Sequence, residues 1–282
     1  MCRIELKKCS YVYQPGSVNQ HEAIKGIDLC IAEGEMVAVI GRGGSGKSTL
    51  ALVLAGLYTP TSGTLLVDGQ PVSPERIFTQ VGLVFQYPEQ QLFADSVYDE
   101  IAFGLRNFGV PEEHIKQKVE NALLTVGLDP AVYAQRSPLA LSGGQKRRVA
   151  IGCMLAISPQ TFIFDEPAAG LDSAGRIWIR QLLCQLNASG HTVIWVSHDM
   201  AEVAETARRV IIMDRGHIIA DGNPQDVFSR QDALDAAGLA PSPAAHLVRE
   251  LKERGADIPG IAVTADGAFA EIAAYLEDKD HV

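Results

Sequence analysis

The chain has 282 residues, close to half of them hydrophobic, enough for one large domain with a sizeable core plus a modest appendage. Its 24 basic and 34 acidic side chains leave a net charge of −10, which opposes non-specific binding to nucleic acid or an anionic lipid surface. No apolar run approaches the length of a membrane-spanning helix, and MCRIELKKCSYVYQ lacks the apolar stretch of a secretory leader, so a soluble cytosolic chain is expected.

The opening runs Ile4 to Leu6 and Ala23 to Ile31, around the polar turn Gln14 to Gln20, predict an antiparallel edge sheet. MVAVI (Met36 to Ile40) is a continuous apolar strand, followed by a glycine-rich turn and a helical stretch from Ser48 to Leu57. Apolar runs at Val81 to Phe85, Thr161 to Phe164, Thr192 to Val196 and Val210 to Met213 predict further strands of a parallel sheet. Between Tyr87 and Leu141 the β pattern stops, and residues 97–108, 112–126 and 130–135 read as an inserted helical subdomain, about 87–145. After residue 230 the composition turns Ala-rich, and Pro241 and Pro243 precede amphipathic stretches at 244–254 and 267–277; residues 231–282 form a small helical appendage on a main domain spanning 1–230. The cysteines Cys2, Cys9, Cys30, Cys153 and Cys184 are odd in number and widely spaced, and read as reduced, mostly buried thiols.

Three motifs carry chemistry. Gly41-Arg42-Gly43-Gly44-Ser45-Gly46-Lys47-Ser48, followed by Thr49, fits the phosphate-binding loop and has the strand before it and the helix after it that such a loop requires. Its amides cradle phosphate oxygens, Lys47 reaches the β and γ phosphates of ATP, and Ser48 offers a hydroxyl to Mg²⁺. Arg42 either strengthens phosphate binding or points to solvent. TFIFDE (Thr161 to Glu166) is a strand ending in two acids: Asp165 is placed to hold Mg²⁺, and Glu166 to accept a proton from the water attacking the γ-phosphate. Leu141-Ser142-Gly143-Gly144-Gln145 opens a helix and makes a second donor-rich anion site, with Lys146, Arg147 and Arg148 as a helix face beyond it.

With that third motif the chain resembles the ATP-binding cassette (ABC) ATPases over residues 3 to 230, which implies an α/β phosphate-loop NTPase fold: a parallel sheet core, an antiparallel β subdomain and a helical subdomain. The resemblance implies a head-to-tail dimer in which the 142–145 site closes over ATP held by the partner's loop. It further implies that Gln86 contacts Mg²⁺ and the attacking water, that Asp172 bridges subunits, that His198 contacts the γ-phosphate, and that an aromatic stacks on adenine; Tyr13 matches that aromatic, with Tyr11 as the alternative. Ala168, where Thr is commoner, is a departure with no catalytic consequence.

The stretches VFQYPEQQLFADSVYDEIAFG (84–104), LSGGQKRRVAI and DEPAAGLDSAGR are similar to the ATPases of energy-coupling-factor importers of vitamins and of cobalt or nickel. That resemblance implies a peripheral position on the cytoplasmic face of the membrane, a homodimer or a heterodimer with a similar ATPase, and docking on a transmembrane coupling protein that engages a substrate-capturing membrane protein. Residues 87–93 are expected to shape the docking groove, and the tail to hold the two ATPases together. An ATPase of another ABC transporter type is the alternative. A cassette acting on ribosomes or DNA fits poorly, since the chain has neither a second cassette nor a long heptad arm.

Overall fold

A computed structural model of the chain describes residues 2–72, 77, 80–258, 260 and 262–280. Two sheets are stacked. Strands β1 (Cys2–Tyr13), β2 (His21–Ala32), β4 (Ser62–Val67) and β5 (Gln70–Pro71) form an antiparallel sheet in the order β2-β1-β4-β5. Strands β3 (Met36–Ile40), β6 (Val81–Val84), β7 (Thr161–Asp165), β8 (Thr192–Val196), β9 (Arg209–Asp214) and β10 (His217–Gly222) form the second, in the order β10-β9-β3-β8-β7-β6. It is parallel except for the β9–β10 hairpin.

The parallel sheet is buried on both faces, which is why its strands read as unbroken apolar runs. Side chains alternate between two cores. Met36, Ala38, Ile40, Phe162, Phe164, Val193, Trp195, Val210 and Ile212 face the helices. Val37, Val39, Ile163, Ile194, Val196, Ile211 and Met213 face α1 (Lys47–Leu54) and the antiparallel sheet.

The helical layer comprises α2 (Val97–Asn107), α3 (Glu112–Thr125), the short α4 (Pro130–Tyr133), α5 (Gly143–Ile157), α6 (Ser173–Ala188) and α7 (Met200–Thr206), with a 3₁₀ turn at Pro88–Gln91. Ser96 caps α2 by accepting from the Asp99 amide, and a reciprocal Ser142–Gln145 capping box opens α5. Beyond β10, α8 (Pro224–Ser229) and α9 (Gln231–Ala236) send Val227, Phe228, Ala233 and Leu234 into the main core. Helices α10 (Pro243–Glu253) and α11 (Ala265–Asp280) close on a separate small cluster of Val248, Ile258, Ala262 and Ala268. None of the described helices is long and apolar enough to cross a membrane.

The cysteine reading needs correcting. Cys9 and Cys153 are free thiols whose pKa burial raises, but Cys184 is exposed and Cys30, on the outer face of β2, is disulfide-bonded.

Candidate functional site

The site lies along the carboxyl ends of β3, β8, β7 and β6, four neighbours in the parallel sheet, the edge at which open α/β folds bind ligands. After β3 the chain turns through Gly41 to Gly46 into α1. A Cβ at Gly41 would lie 2.3 Å from the Met213 carbonyl oxygen, and one at Gly46, 2.4 Å from that of Ala23; both have positive φ. The turn therefore requires glycine at these two positions. It is braced further by Gly216 N donating to Ser45 O, and by an ion pair of 3.0 Å between Arg42 and Asp214 at the end of β9. Arg42 thus leans towards β9 and staples the loop to the sheet.

Lys47 is buried, and its ammonium donates to the carbonyls of Gly41 (2.7 Å) and Arg42 (2.9 Å). Burial lowers its pKa, while the charges of Glu166 and Asp165 oppose that shift. Next to it, burial raises the Asp165 pKa, a hydrogen bond from Ser48 and the charge of Lys47 pull it down, and Glu166 pushes it up. Asp165 Oδ1 is buried with no hydrogen-bond partner. An acceptor left unsatisfied beside a serine hydroxyl is the kind of oxygen donor set that suits Mg²⁺ or its bound water.

Ile163 faces α1, so the alternation of the strand sends Asp165 to the Lys47–Ser48 side, and Glu166, just beyond the strand, stays near enough for its charge to act on Lys47. Glu166 lies just past the strand at φ +47°, a left-handed conformation costly for a residue with a Cβ. Its Oε2 accepts from Gln86 Nε2 at 2.9 Å and lies 3.5 Å from His198 Nδ1. Two sequence-predicted residues, Gln86 and His198, thus converge on the carboxylate of a third, in a cleft of about 230 Å³ also lined by Ala168, Ala169, Trp195 and Ser197.

Tyr13 donates to or accepts from Thr49 Oγ1 at 3.1 Å, which ties it to α1. Tyr11 stacks on Tyr58 with ring centres 4.7 Å apart, and Tyr13 meets both rings edge-on. Tyr58, not anticipated from the sequence, completes this aromatic group. Asp172 caps α6, accepting from Gly175 N at 2.8 Å. Ser142, Gly143, Gly144 and Gln145 stand apart: no hydrogen bond among the described residues joins them to residues 41–49, and open space surrounds both glycines where a Cβ would project.

Arg147 and Arg148, expected as a helix face, are held by partners within the fold. Arg148 stacks on Trp178 at 4.3 Å and donates to Val126 O at 2.6 Å. Arg147 is 4% exposed, and its bonds reach Glu89, Gln86 and Ala169. No local pattern marks the position as buried, since Ser142, Gly143, Gly144, Gln145 and Lys146 precede it. Between β6, the 88–91 turn, α2 and α5 lies an apolar groove of about 200 Å³, lined by Leu83, Phe85, Leu92, Phe93, Phe103 and Met154. Phe93 is 64% exposed and meets Phe103 edge-to-face at 4.9 Å. Glu100 holds the groove's rim by accepting from the amides of Phe93 (2.8 Å) and Ala94 (2.7 Å).

The family model described as ABC transporter matches residues 24–169, from β2 to the loop after the acid pair. The chain belongs to the ABC transporter family. It is 44% identical over 281 residues to the energy-coupling factor transporter ATP-binding protein EcfA2 of Symbiobacterium thermophilum, covering 98% of this chain and 97% of that one. To the protein of the same name from Clostridium perfringens it is 43% identical over 261 residues, 90% and 92% of the two chains. Among solved structures, cbiO1 from Clostridium perfringens, described as part of the ABC transporter complex cbiONQ, superposes with a TM-score of 0.73 at 34% identity over 89% of this chain and 99% of that one. A dimeric ATP-binding cassette in a post-hydrolysis state, bound to ADP and Pi, superposes with a TM-score of 0.69 at 28% identity over 78% and 98%. The α/β cassette fold and an ATPase coupled to transport follow from this membership.

Proposed function

We propose that the chain is the ATP-hydrolysing subunit of an energy-coupling-factor importer, working on the cytoplasmic face of the membrane to drive uptake of a vitamin or a metal ion. The observation that carries the proposal is the meeting of Gln86 and His198 at the Glu166 carboxylate, one residue beyond an acid hydrogen-bonded to Ser48.

In this reading the amides of residues 41–49 and the ammonium of Lys47 hold the triphosphate, and Tyr13, fixed by Thr49 and flanked by Tyr11 and Tyr58, stacks on adenine. Ser48 and Asp165, with Gln86, would hold Mg²⁺, which would neutralise charge on the β and γ phosphates when bound. Glu166 takes a proton from the attacking water as the water oxygen bonds to the γ-phosphorus and the bond from that phosphorus to the β–γ bridging oxygen breaks, leaving ADP and phosphate. Gln86 and His198 set the carboxylate's direction, and His198 also faces the γ-phosphate. Ser142, Gly143, Gly144 and Gln145 bind the γ-phosphate of ATP seated on a second, equivalent or similar, cassette, with Asp172 crossing the interface; their separation from the chain's own loop supports that dimer. The groove between Phe93 and Phe103 accepts an amphipathic helix of a transmembrane coupling protein, which engages a substrate-capturing membrane protein. The exposed Leu247, Phe269 and Leu276 on α10 and α11 are the faces by which the tails of two cassettes meet.

The experiment is co-expression with a candidate coupling protein and a candidate second ATPase, followed by affinity capture and light scattering with and without ATP and Mg²⁺. The expected result is an ATP-dependent shift from one cassette to a pair, and a membrane complex containing one coupling protein. Capture of two full permease subunits instead would show the other transporter type and defeat the proposal.

A further inference from the structure

Burying a guanidinium is costly unless its donors are matched, and Arg147 is buried with an unusually complete set. Nε and Nη2 take the two oxygens of Glu89 at 3.1 and 3.2 Å, Nη2 also reaches Gln86 O at 3.2 Å, and Nη1 reaches Ala169 O at 2.5 Å. The guanidinium also stands 5.9 Å over the Tyr87 ring. These acceptors belong to two separate loops. Gln86 and Glu89 belong to the segment after β6, whose Pro88, Gln91, Leu92 and Phe93 wall the apolar groove. Ala169 belongs to the loop between Glu166 and Asp172. Arg147 itself is the fifth residue of α5, the helix that Ser142 opens.

We propose that Arg147 is a positioning residue that locks the groove wall, Gln86 and the loop leading to Asp172 to the helix carrying the second anion site, so that displacement of any one is passed to the others. The planar fork makes this possible, because its donors are fixed relative to one another and cannot follow one loop without pulling on the other. Lysine, a single mobile charge, could keep one contact at a time. The linkage among the segments stands on the contacts alone; its use in transmitting movement of the groove's occupant to hydrolysis rests on the function proposed above.

The test compares the wild-type chain with Arg147→Lys, Glu89→Gln and the double variant, by amide hydrogen exchange on the isolated chain and by ATP turnover in the assembled transporter. Exchange is expected to speed up together in residues 86–93 and 167–172 of both single variants, with residues 41–54 unchanged. The double variant should be no faster than Arg147→Lys, since both changes remove the same link. ATP affinity should hold within about twofold while turnover falls on the order of tenfold, as coupled groups in one network do. Exchange that rises throughout α5 and the sheet would reduce Arg147 to a general stabiliser and overturn the proposal. So would two loops that loosen independently, or turnover unchanged in folded variants. An assembled wild-type complex that hydrolyses no ATP would instead count against the function proposed above, and the exchange data would still decide the linkage.

Discussion

Glu166→Gln is the smallest change that separates proton acceptance from everything else Glu166 does. The amide is nearly the same size, and its carbonyl oxygen, in place of Oε2, can accept from Gln86 Nε2 across the same 2.9 Å and stay 3.5 Å from His198 Nδ1. Both residues suffer equally at φ +47°, so the melting temperature should move by no more than about 2 °C. A positioned general base contributes roughly 10²–10⁴-fold, so turnover should fall by that factor, equivalent to about 3–5 kcal/mol of barrier. ATP binding should persist, and light scattering should find the cassette pair accumulating with ATP because hydrolysis no longer opens it. Glu166→Gly supplies an internal control. It relieves a left-handed conformation worth about 1–2 kcal/mol and gives back part of that as unfolded-chain entropy, so it should be slightly stabilised yet equally inactive. The assay is phosphate release from the chain with its pairing ATPase, against urea unfolding of the same preparations. Turnover of Glu166→Gln within tenfold of wild type would refute the assignment.

Three further outcomes are expected. Phe162→Ala empties a fully buried site where the ring stacks against Phe164 and meets His191, and should cost about 3–5 kcal/mol, read as a lower urea midpoint with an unchanged slope. Asp165 has a raised pKa in the folded chain, so its stabilising contribution is present at acid pH and is lost as pH rises through that folded value. Asp165→Asn should therefore melt higher than wild type at neutral pH without Mg²⁺, with the gap closing as pH falls into the acid range, and a gap independent of pH would contradict the burial argument. Phe93→Glu places a charge in the apolar groove and forgoes about 1.5–3 kcal/mol of apolar burial, so co-purification with the coupling protein should drop by at least roughly tenfold while ATP affinity of the isolated chain is unaltered.

Much of the nucleotide site was legible because its motifs dictate backbone geometry. Gly41 and Gly46 can be nothing else where they are, and the strand pattern before Asp165 already turns that acid towards the α1 side. The parallel strands were legible for the same reason, since burial on both faces leaves an unbroken apolar run. The antiparallel sheet was harder. Ser62–Val67 carries a glycine and only a short apolar stretch, so β4 was not read, and β10 has just Ile218, Ile219 and Ala220 to mark it. Helices α8 and α9 are too short to show periodicity, although Phe228 and Leu234 anchor them in the main core. The burial of Arg147 was not legible, because only the placement of Glu89, Gln86 and Ala169 reveals a buried network. Tyr58 and the bonded state of Cys30 depend likewise on which strands become neighbours, something no local pattern encodes.

The strand order β10-β9-β3-β8-β7-β6 also governs how this protein can be made. β3 lies near the middle of the parallel sheet, yet both its neighbours, β8 and β9, come late in the chain, beginning at residues 192 and 209. At ordinary synthesis rates of 5–20 residues per second, MVAVI waits roughly 8 to 30 seconds with both edges unpaired. During that interval the antiparallel sheet, whose strands are all complete by residue 71, is the natural shelter, covering the Val37 and Val39 side of the strand together with α1. A newborn cassette is accordingly most exposed to chaperone capture, or to pairing with a neighbouring chain, in the window before β8 emerges.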